Sequence, residues 1–497
     1  MRRTMPIFYS ALMLTGVNLL LRVVSTSFQV FLSGRIGASG IGLLQLVLSI
    51  GSLAMTAGIA GIRTTAMYLT AEELGKGRPG HVTWVISGCT IYSLFFSCCI
   101  GSGLYVFAPL LAQHWIGDAR AMESIRLFAS FLPVCCLTGV MVGYFTAANR
   151  IGTLAAVEVA EQAISMAVTV GLLYFWAGNN PEKACIAVVT GSGIGACLTL
   201  ICLIVLRTRE KAPTANRILI AQRLKQTALP LALADDLKAG ITTTENLMVP
   251  KRLALFPGTT NSLALFGTIC GMVFPLLMFP ACILYGLTEL LIPELARCNA
   301  TGSAIRIQYL VRRSLRIAML YGAICSGVLF LCSHSICIKL YHSPEAGNYL
   351  RWFSLLAVML YCDIITDAII KGLGQQKYSV RYNIITSLMD LALLYVLLPR
   401  YGVPGYFLSF VVTHAVNFIL SLRRLIKITG QKLPYSIPIL TTSAIIGSIY
   451  AAQFFDNPFL RASAFVVLLF SLLSLLGILK KEDLLWLKGV LRFSQHA

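Results

Sequence analysis

A chain of 497 residues in which 57% are hydrophobic and only 12% are charged, with a mean hydropathy of +0.79, is not a soluble globular domain; those carry about 25% charge. The formal net charge of +20 would suit nucleic acid, but the basic residues sit in short clusters between apolar runs and form no patch interleaved with aromatics. The composition is that of a polytopic membrane protein surrounded by membrane lipids, with no nucleic-acid partner.

Apolar runs of about 20 residues, the length that crosses a bilayer, predict fourteen spans. In chain order they cover residues 6–32, 41–70, 82–108, 122–148, 152–177, 183–206, 224–249, 262–292, 314–334, 349–370, 379–399, 403–422, 436–455 and 459–479. The opening MRRTMPIFYSALMLTGVNLLL has the basic start of a signal peptide, but its apolar run is too long and no small-residue cleavage site follows. A retained first helix is expected. The longest polar connection is RTREKAPTANRILIAQR at 207–223, so no separate soluble domain is expected.

Counted over alternate loops, about 27 of the 40 Lys and Arg fall on the side of the N-terminus and about 10 on the other, with Arg22, Arg63 and Lys238 at membrane depth. Such a bias predicts an even number of helices in the cell membrane, with both termini cytoplasmic. The chain also resembles itself. Segments 147–173 and 374–400 each follow a basic turn and lie about 227 residues apart, which corresponds to six helices. Two lobes of the same topology are expected: residues 1–210 (helices one to six) and 211–430 (helices seven to twelve), with a cavity between them. Residues 431–497 then supply two extra helices and a cytoplasmic tail.

Charges inside the spans carry the functional signal. Arg22 stands in the middle of NLLLRVVSTSF, too far from either helix end to snorkel, and an arginine at that depth is costly unless it faces a partner or a cavity. Arg63 is a second arginine at depth, in TAGIAGIRTTAMY. Helix seven adds Asp235, Asp236, Lys238 and Glu245, followed by Lys251 and Arg252. Arginines gathered on one cavity suit a phosphate, because the guanidinium fork binds it bidentately; they would repel a cationic drug. The substrate expected is therefore a lipid-linked anion.

The carboxylates are read differently. Asp235 or Asp236 with Asp390 and the hydroxyl of Thr413 would make an oxygen-rich site for Na+ or H+ coupling; the alternative is salt-bridging inside the bundle. For Glu158, Asp363 and Asp367 the alternative is solvation at a helix end. No GxxxxGK[ST] loop, Ser-His-Asp set, HExxH motif or zinc-spaced cysteines occur, and the 15 cysteines, mostly within apolar runs, read as reduced packing residues. No enzyme activity, metal or cofactor is expected.

The run LLLRVVSTSFQVFLSGRIGASGIGLLQLVLSIGSLAMTAGIAGIRTTAMYLTAEE resembles the opening of the stage V sporulation protein B group. ENLMVPKRLALFPGTTNSLALFGTICGMVFPLLMFPACILYGLTELLIPELA and KGLGQQKYSVRYNIITSLMDLALLYVLLPRYGVPGYFLSFVV extend the resemblance over nearly the whole chain. That group sits with the MurJ-like flippases and Wzx-type polysaccharide transporters of the multidrug/oligosaccharidyl-lipid/polysaccharide exporter superfamily. The resemblance implies an all-α, MATE-like fold working by alternating access. It also implies a cationic cavity, for which Arg22, Arg35 and Arg63 match best and Lys251 and Arg252 are weaker counterparts. Asp235 and Asp236 depart from the pattern and make that wall less positive. The implied function is flipping an undecaprenyl-pyrophosphate-linked oligosaccharide or peptidoglycan precursor in spore-cortex or cell-envelope assembly. The protein is expected to be a monomer, with envelope-synthesis enzymes as candidate partners. The alternatives are a MATE-type cation-coupled drug antiporter and a non-transporting scaffold for envelope synthesis.

Overall fold

The computed structural model describes residues 5–148, 150–178, 180–208, 221–430 and 436–476, all helices and turns. The core of the predicted polar connection (209–220) and of the predicted tail (477–497) lies outside the described residues. Among the described residues fourteen helical spans follow one another. The first two, α1 (5–36) and α2 (38–75), begin as one helical run Met5–Ile59 in which Gly37 alone leaves the helical region, at φ 67 and ψ 178. A residue with no Cβ adopts that conformation without penalty, so the joint needs no loop. The second span breaks at Ala60–Gly61 and resumes as Ile62–Gly75.

Then come α3 (Pro79–Leu110, extended by a π-helical turn Leu111–Ile116), α4 (Met122–Ala147), α5 (Ile151–Leu172), α6 (Pro181–Thr208) and α7 (Ala221–Leu253). In α8, residues 262–278 are followed by Cys282–Ala300; α9 is Ala304–Tyr341; and α10 is Pro344–Ser354 followed by Ala357–Gly372. The run Gln376–Thr429 turns at Gly402 (φ 60), separating α11 (376–401) from α12 (403–429). The last two are α13 (Ser436–Ala452) and α14 (Pro458–Leu475). By length and hydropathy, 8 helical runs among the described residues can cross a membrane, and 10 if each bent pair is one span. Two of those runs each hold two helices joined at a glycine, while α7 is charged and α13 short, which reconciles this tally with fourteen spans. The surface is apolar: Phe175 is 91% exposed and Ile91 70%, as suits side chains that meet acyl chains instead of water.

Chain packing divides the molecule into two compact units, residues 1–272 with 387–409 and residues 273–386 with 410–497. The first unit has a core of Ile62, Leu69, Val85, Ile86 and Phe145, drawn from α2, α3 and α4. In the same unit α2 and the start of α8 cross closely enough that only glycine fits. A Cβ on Gly267 would run into the carbonyl of Ala38 and lie 2.6 Å from the Gly42 nitrogen. Small residues at a crossing are how membrane helices gain close backbone contact. Gly267→Ala is therefore expected to destabilise the protein by about 1–3 kcal/mol, the usual cost of overpacking, read as a lower unfolding midpoint in detergent. An unchanged midpoint would mean the crossing is loose.

The second unit contains the bends of two spans. The halves of α8 meet at 57° around Pro280, which has no N–H to continue the ladder, and those of α10 at 56°. Backbone carbonyls near the α8 break find new donors: the hydroxyl of Tyr361 donates to Leu277 O at 2.8 Å and that of Tyr321 to Pro280 O at 2.8 Å. A broken helix persists in a bilayer only when its polar groups are satisfied in this way. In α10 the Ser354 hydroxyl donates back to Arg351 O at 2.8 Å, and Leu355 and Leu356 bond three residues back, which tightens the chain at the bend. The helices α13 and α14 pack on α9, where the fully buried Phe465 ring lies against Gly327.

Candidate functional site

The first unit holds an open cavity of about 580 Å³ between α2 and α7. From α2, Gln45, Ser49, Ser52, Thr56 and Arg63 line it; their spacing of three to seven residues keeps them on one face. From α7, Asp235, Lys238, Thr242 and Asn246 line it, again on one face. Two polar helix faces meet here, with Ser52, Arg63, Asp235, Lys238 and Thr242 left exposed. They are joined directly: Thr243 Oγ1 donates to Ser49 O at 3.1 Å, and Asn246 Nδ2 donates to Ser49 Oγ at 2.9 Å.

The break in α2 opens onto the same cavity. Ala60 (φ 45) and Gly61 (φ 70) are consecutive left-handed residues, and for alanine that conformation is strained. The helix Ile62–Gly75 then starts with no side-chain cap, and Gly61, Arg63 and Thr64 all line the cavity. The first turn of a helix carries unpaired N–H groups and a partial positive charge, which attract anions. Arg63 stands in that turn, with Lys238 of α7 on the same cavity. Against these, among the described residues Asp235 is the one carboxylate lining it, so the described lining is net positive.

The other predicted site residues lie elsewhere. Asp236 is half-buried and does not line the cavity. Arg35, at the end of α1, lies over the Tyr174 ring at 5.1 Å. The Lys251 ammonium donates to the carbonyl of His114, and the Arg252 guanidinium lies 3.2 Å from the centroid of Tyr395. These three stand near the joints α1–α2, α3–α4, α5–α6, α7–α8 and α11–α12, not at mid-span. Arg22 is halfway along α1 on an exposed stretch with Leu19, Leu20, Val23 and Val24, outside the lining of this cavity.

Of the predicted ion-coupling residues, Asp235 lines this cavity and Asp390 is not in its lining. Glu245 hydrogen-bonds Asp390, which also accepts from Ser409 Oγ at 2.6 Å. Thr413 belongs to the second unit, where its hydroxyl donates to Phe410 O at 3.3 Å. Asp367 pairs with Lys371 at 2.6 Å, and Asp363 accepts from Asn417 Nδ2 at 2.9 Å. Glu161 accepts from Thr199 Oγ1 at 3.0 Å. Among the described residues no group of three or more His, Cys, Asp or Glu is placed to hold a metal ion.

Sequence reasoning missed the hydroxyl and amide face Gln45–Ser49–Ser52–Thr56, the contribution of Asn246, and the helix break. The available signal was a polar residue every three or four positions in an otherwise apolar span, ending in the paired glycines of GIAGIR.

This all-α arrangement of fourteen spans, with broken and glycine-jointed helices, is a multi-pass membrane protein with the fold of exporters of the MOP superfamily. Its fold matches the structure titled lipid II flippase MurJ, inward closed conformation, with a TM-score of 0.71 at 13% identity, covering 95% of this chain and 100% of that one. It matches an inward-facing multidrug resistance MATE family transporter with a TM-score of 0.63 at 14% identity, covering 84% of this chain and 100% of the other. In sequence the chain is similar to stage V sporulation protein B of Bacillus subtilis (strain 168), 21% identical over 440 residues, covering 86% of this chain and 84% of that protein. No protein-family profile matches the chain. The resemblance read from the sequence thus recurs in both a curated relative and the solved folds.

Proposed function

We propose that the protein is a flippase that moves a lipid-linked, pyrophosphate-bearing saccharide across the cytoplasmic membrane, with both termini on the cytoplasmic side. The observation that carries this reading is the convergence of an uncapped helix start at Ile62, the Arg63 guanidinium and the Lys238 ammonium on one hydroxyl-lined cavity. Each of the three is a donor to oxyanions, and together they suit a phosphoryl group better than a neutral or cationic solute. Hydroxyl and amide side chains along the same wall suit the hydroxyls of a sugar. Similarity to a sporulation protein supports a use in building the spore or cell envelope. Protons bound at the carboxyl pair Glu245–Asp390 drive the cycle.

Asp235 favours a second reading, a cation-coupled drug antiporter, because it places a carboxylate in the same wall. Two cations and a helix start outweigh it. The test is transbilayer movement in proteoliposomes of a fluorescent lipid-linked pyrophosphoryl sugar, with uptake of a cationic dye measured in parallel. Movement of the lipid without dye uptake is expected. Proton- or Na+-driven dye transport with no lipid movement would replace this reading with the antiporter, and inactivity in both assays beside a working control flippase would favour the scaffold.

A further inference from the structure

We propose that the second unit carries a separate binding site for a phosphoryl oxyanion, formed by Arg351, Arg461 and His334 in a cavity where α9, α10, α13 and α14 meet. The cavity measures about 340 Å³, and its other polar walls include Asn348 and Gln453. Among the described residues its lining holds two permanent cations, an imidazole and two amides, and no carboxylate.

The two guanidiniums are held ready for a ligand. Arg461 is half-buried at the start of α14 and donates through Nε to the carbonyl of Phe455 at 2.8 Å, so one edge of its fork is anchored to the α13–α14 turn. The Arg351 guanidinium carbon lies 4.7 Å from the centre of the Phe330 ring. Such stacking fixes the plane of the group and leaves its in-plane N–H donors to a ligand. Among the described residues no carboxylate pairs with either arginine. Close packing holds the walls: a Cβ on Gly347 would come within 2.9 Å of the His334 Cα, so α9 and α10 touch there. The start of α10 is capped by Ser343, whose hydroxyl accepts from Ala346 N at 3.2 Å, so the anion-binding capacity comes from the side chains and not from that helix end. Two forks with flanking amide donors match the tetrahedral, several-oxygen surface of a phosphate mono- or diester.

The site stands independently of the transport reading, because it shares no residue with the cavity of the first unit. It gives α13 and α14 a role: each supplies the end of a wall, through Gln453 and Arg461. The phosphoryl group has two possible sources, the headgroup of an anionic phospholipid or a soluble phosphate. Two binding experiments on the full-length purified protein separate them. One measures retention of phosphatidylglycerol against phosphatidylcholine by native mass spectrometry; the other measures binding of radiolabelled inorganic phosphate in detergent.

The expected result is at least a tenfold preference for phosphatidylglycerol, or saturable phosphate binding, that is lost in the double variant Arg351→Gln/Arg461→Gln. Asn348→Asp, an exposed substitution that adds a negative charge to the wall, should abolish it without disturbing the fold. Arg312→Gln, an exposed arginine of α9 outside the cavity, should change nothing. Loss in the lipid arm assigns the source to the membrane, and loss in the phosphate arm assigns it to solution. Absence of binding in both arms, or equal binding by wild type, the double variant and Asn348→Asp, would overturn the proposal.

Discussion

Replacing Arg63 with alanine is expected to slow movement of a lipid-linked pyrophosphoryl sugar by about 10- to 100-fold, the equivalent of one lost charge-assisted contact of about 1.5–3 kcal/mol. Arg63 is singled out because it combines two features. It lines the cavity, and it stands in the first turn of a helix whose N–H groups have no cap. Removing it leaves the helix start and Lys238 to hold the anion. Arg63→Lys retains the charge but replaces the fork with a single ammonium, so it should recover part of the rate and less of the affinity. Arg22→Ala, outside this cavity, should cost less than Arg63→Ala. An Arg63→Ala variant that folds normally and moves lipid at the wild-type rate would contradict the assignment.

Exchanging Glu245 for glutamine should remove the pH dependence of transport. Two carboxyl groups joined by a hydrogen bond share a proton, since two carboxylates in contact repel and have no donor between them. Asp390 is buried and receives a second hydrogen bond from Ser409, which fixes its place in the pair. A proton on Glu245 donated to Asp390 ties α7 to the middle of α11, and losing that proton breaks the tie. Glutamine keeps a donor at every pH and mimics the protonated state. Wild-type turnover should therefore vary on the order of tenfold between about pH 5 and about pH 9, while Glu245→Gln stays flat and slow. A pH-dependent Glu245→Gln variant, or wild-type turnover set by Na+ at constant pH, would dismiss proton coupling through this pair.

The spans were legible because a bilayer imposes their length, and alternating basic loops kept even charged α7 in the count. Their joints were less so. The predicted gap between residues 32 and 41 shrinks to the single residue Gly37, because a left-handed glycine turns the chain where a loop was expected. The bends in α8 and α10 depend on whether a distant side chain satisfies the freed carbonyls, as Tyr361 does for Leu277, and no local pattern reports that. Among the site residues, Arg63, Lys238 and Asp235 were singled out and do line one cavity. Arg22 drew equal attention because sequence gives depth along a helix but not direction around it. A helix as uniformly apolar as α1 leaves its direction undetermined. The same limit hid the contact between Glu245 and Asp390, which lie 145 positions apart in the chain.

The central claim is that the cavity between α2 and α7 receives the anionic headgroup, and site-specific photocrosslinking tests it most directly. A photoreactive residue replaces Ser52, on the cavity wall, and another replaces Phe95, an apolar side chain 63% exposed on α3. Both proteins are reconstituted with a radiolabelled lipid-linked pyrophosphoryl sugar and irradiated. The account predicts capture at position 52 that unlabelled substrate competes away and that Arg63→Ala abolishes, with only uncompeted background at position 95. Equal capture at the two positions, or capture at 52 that persists without Arg63, would contradict it.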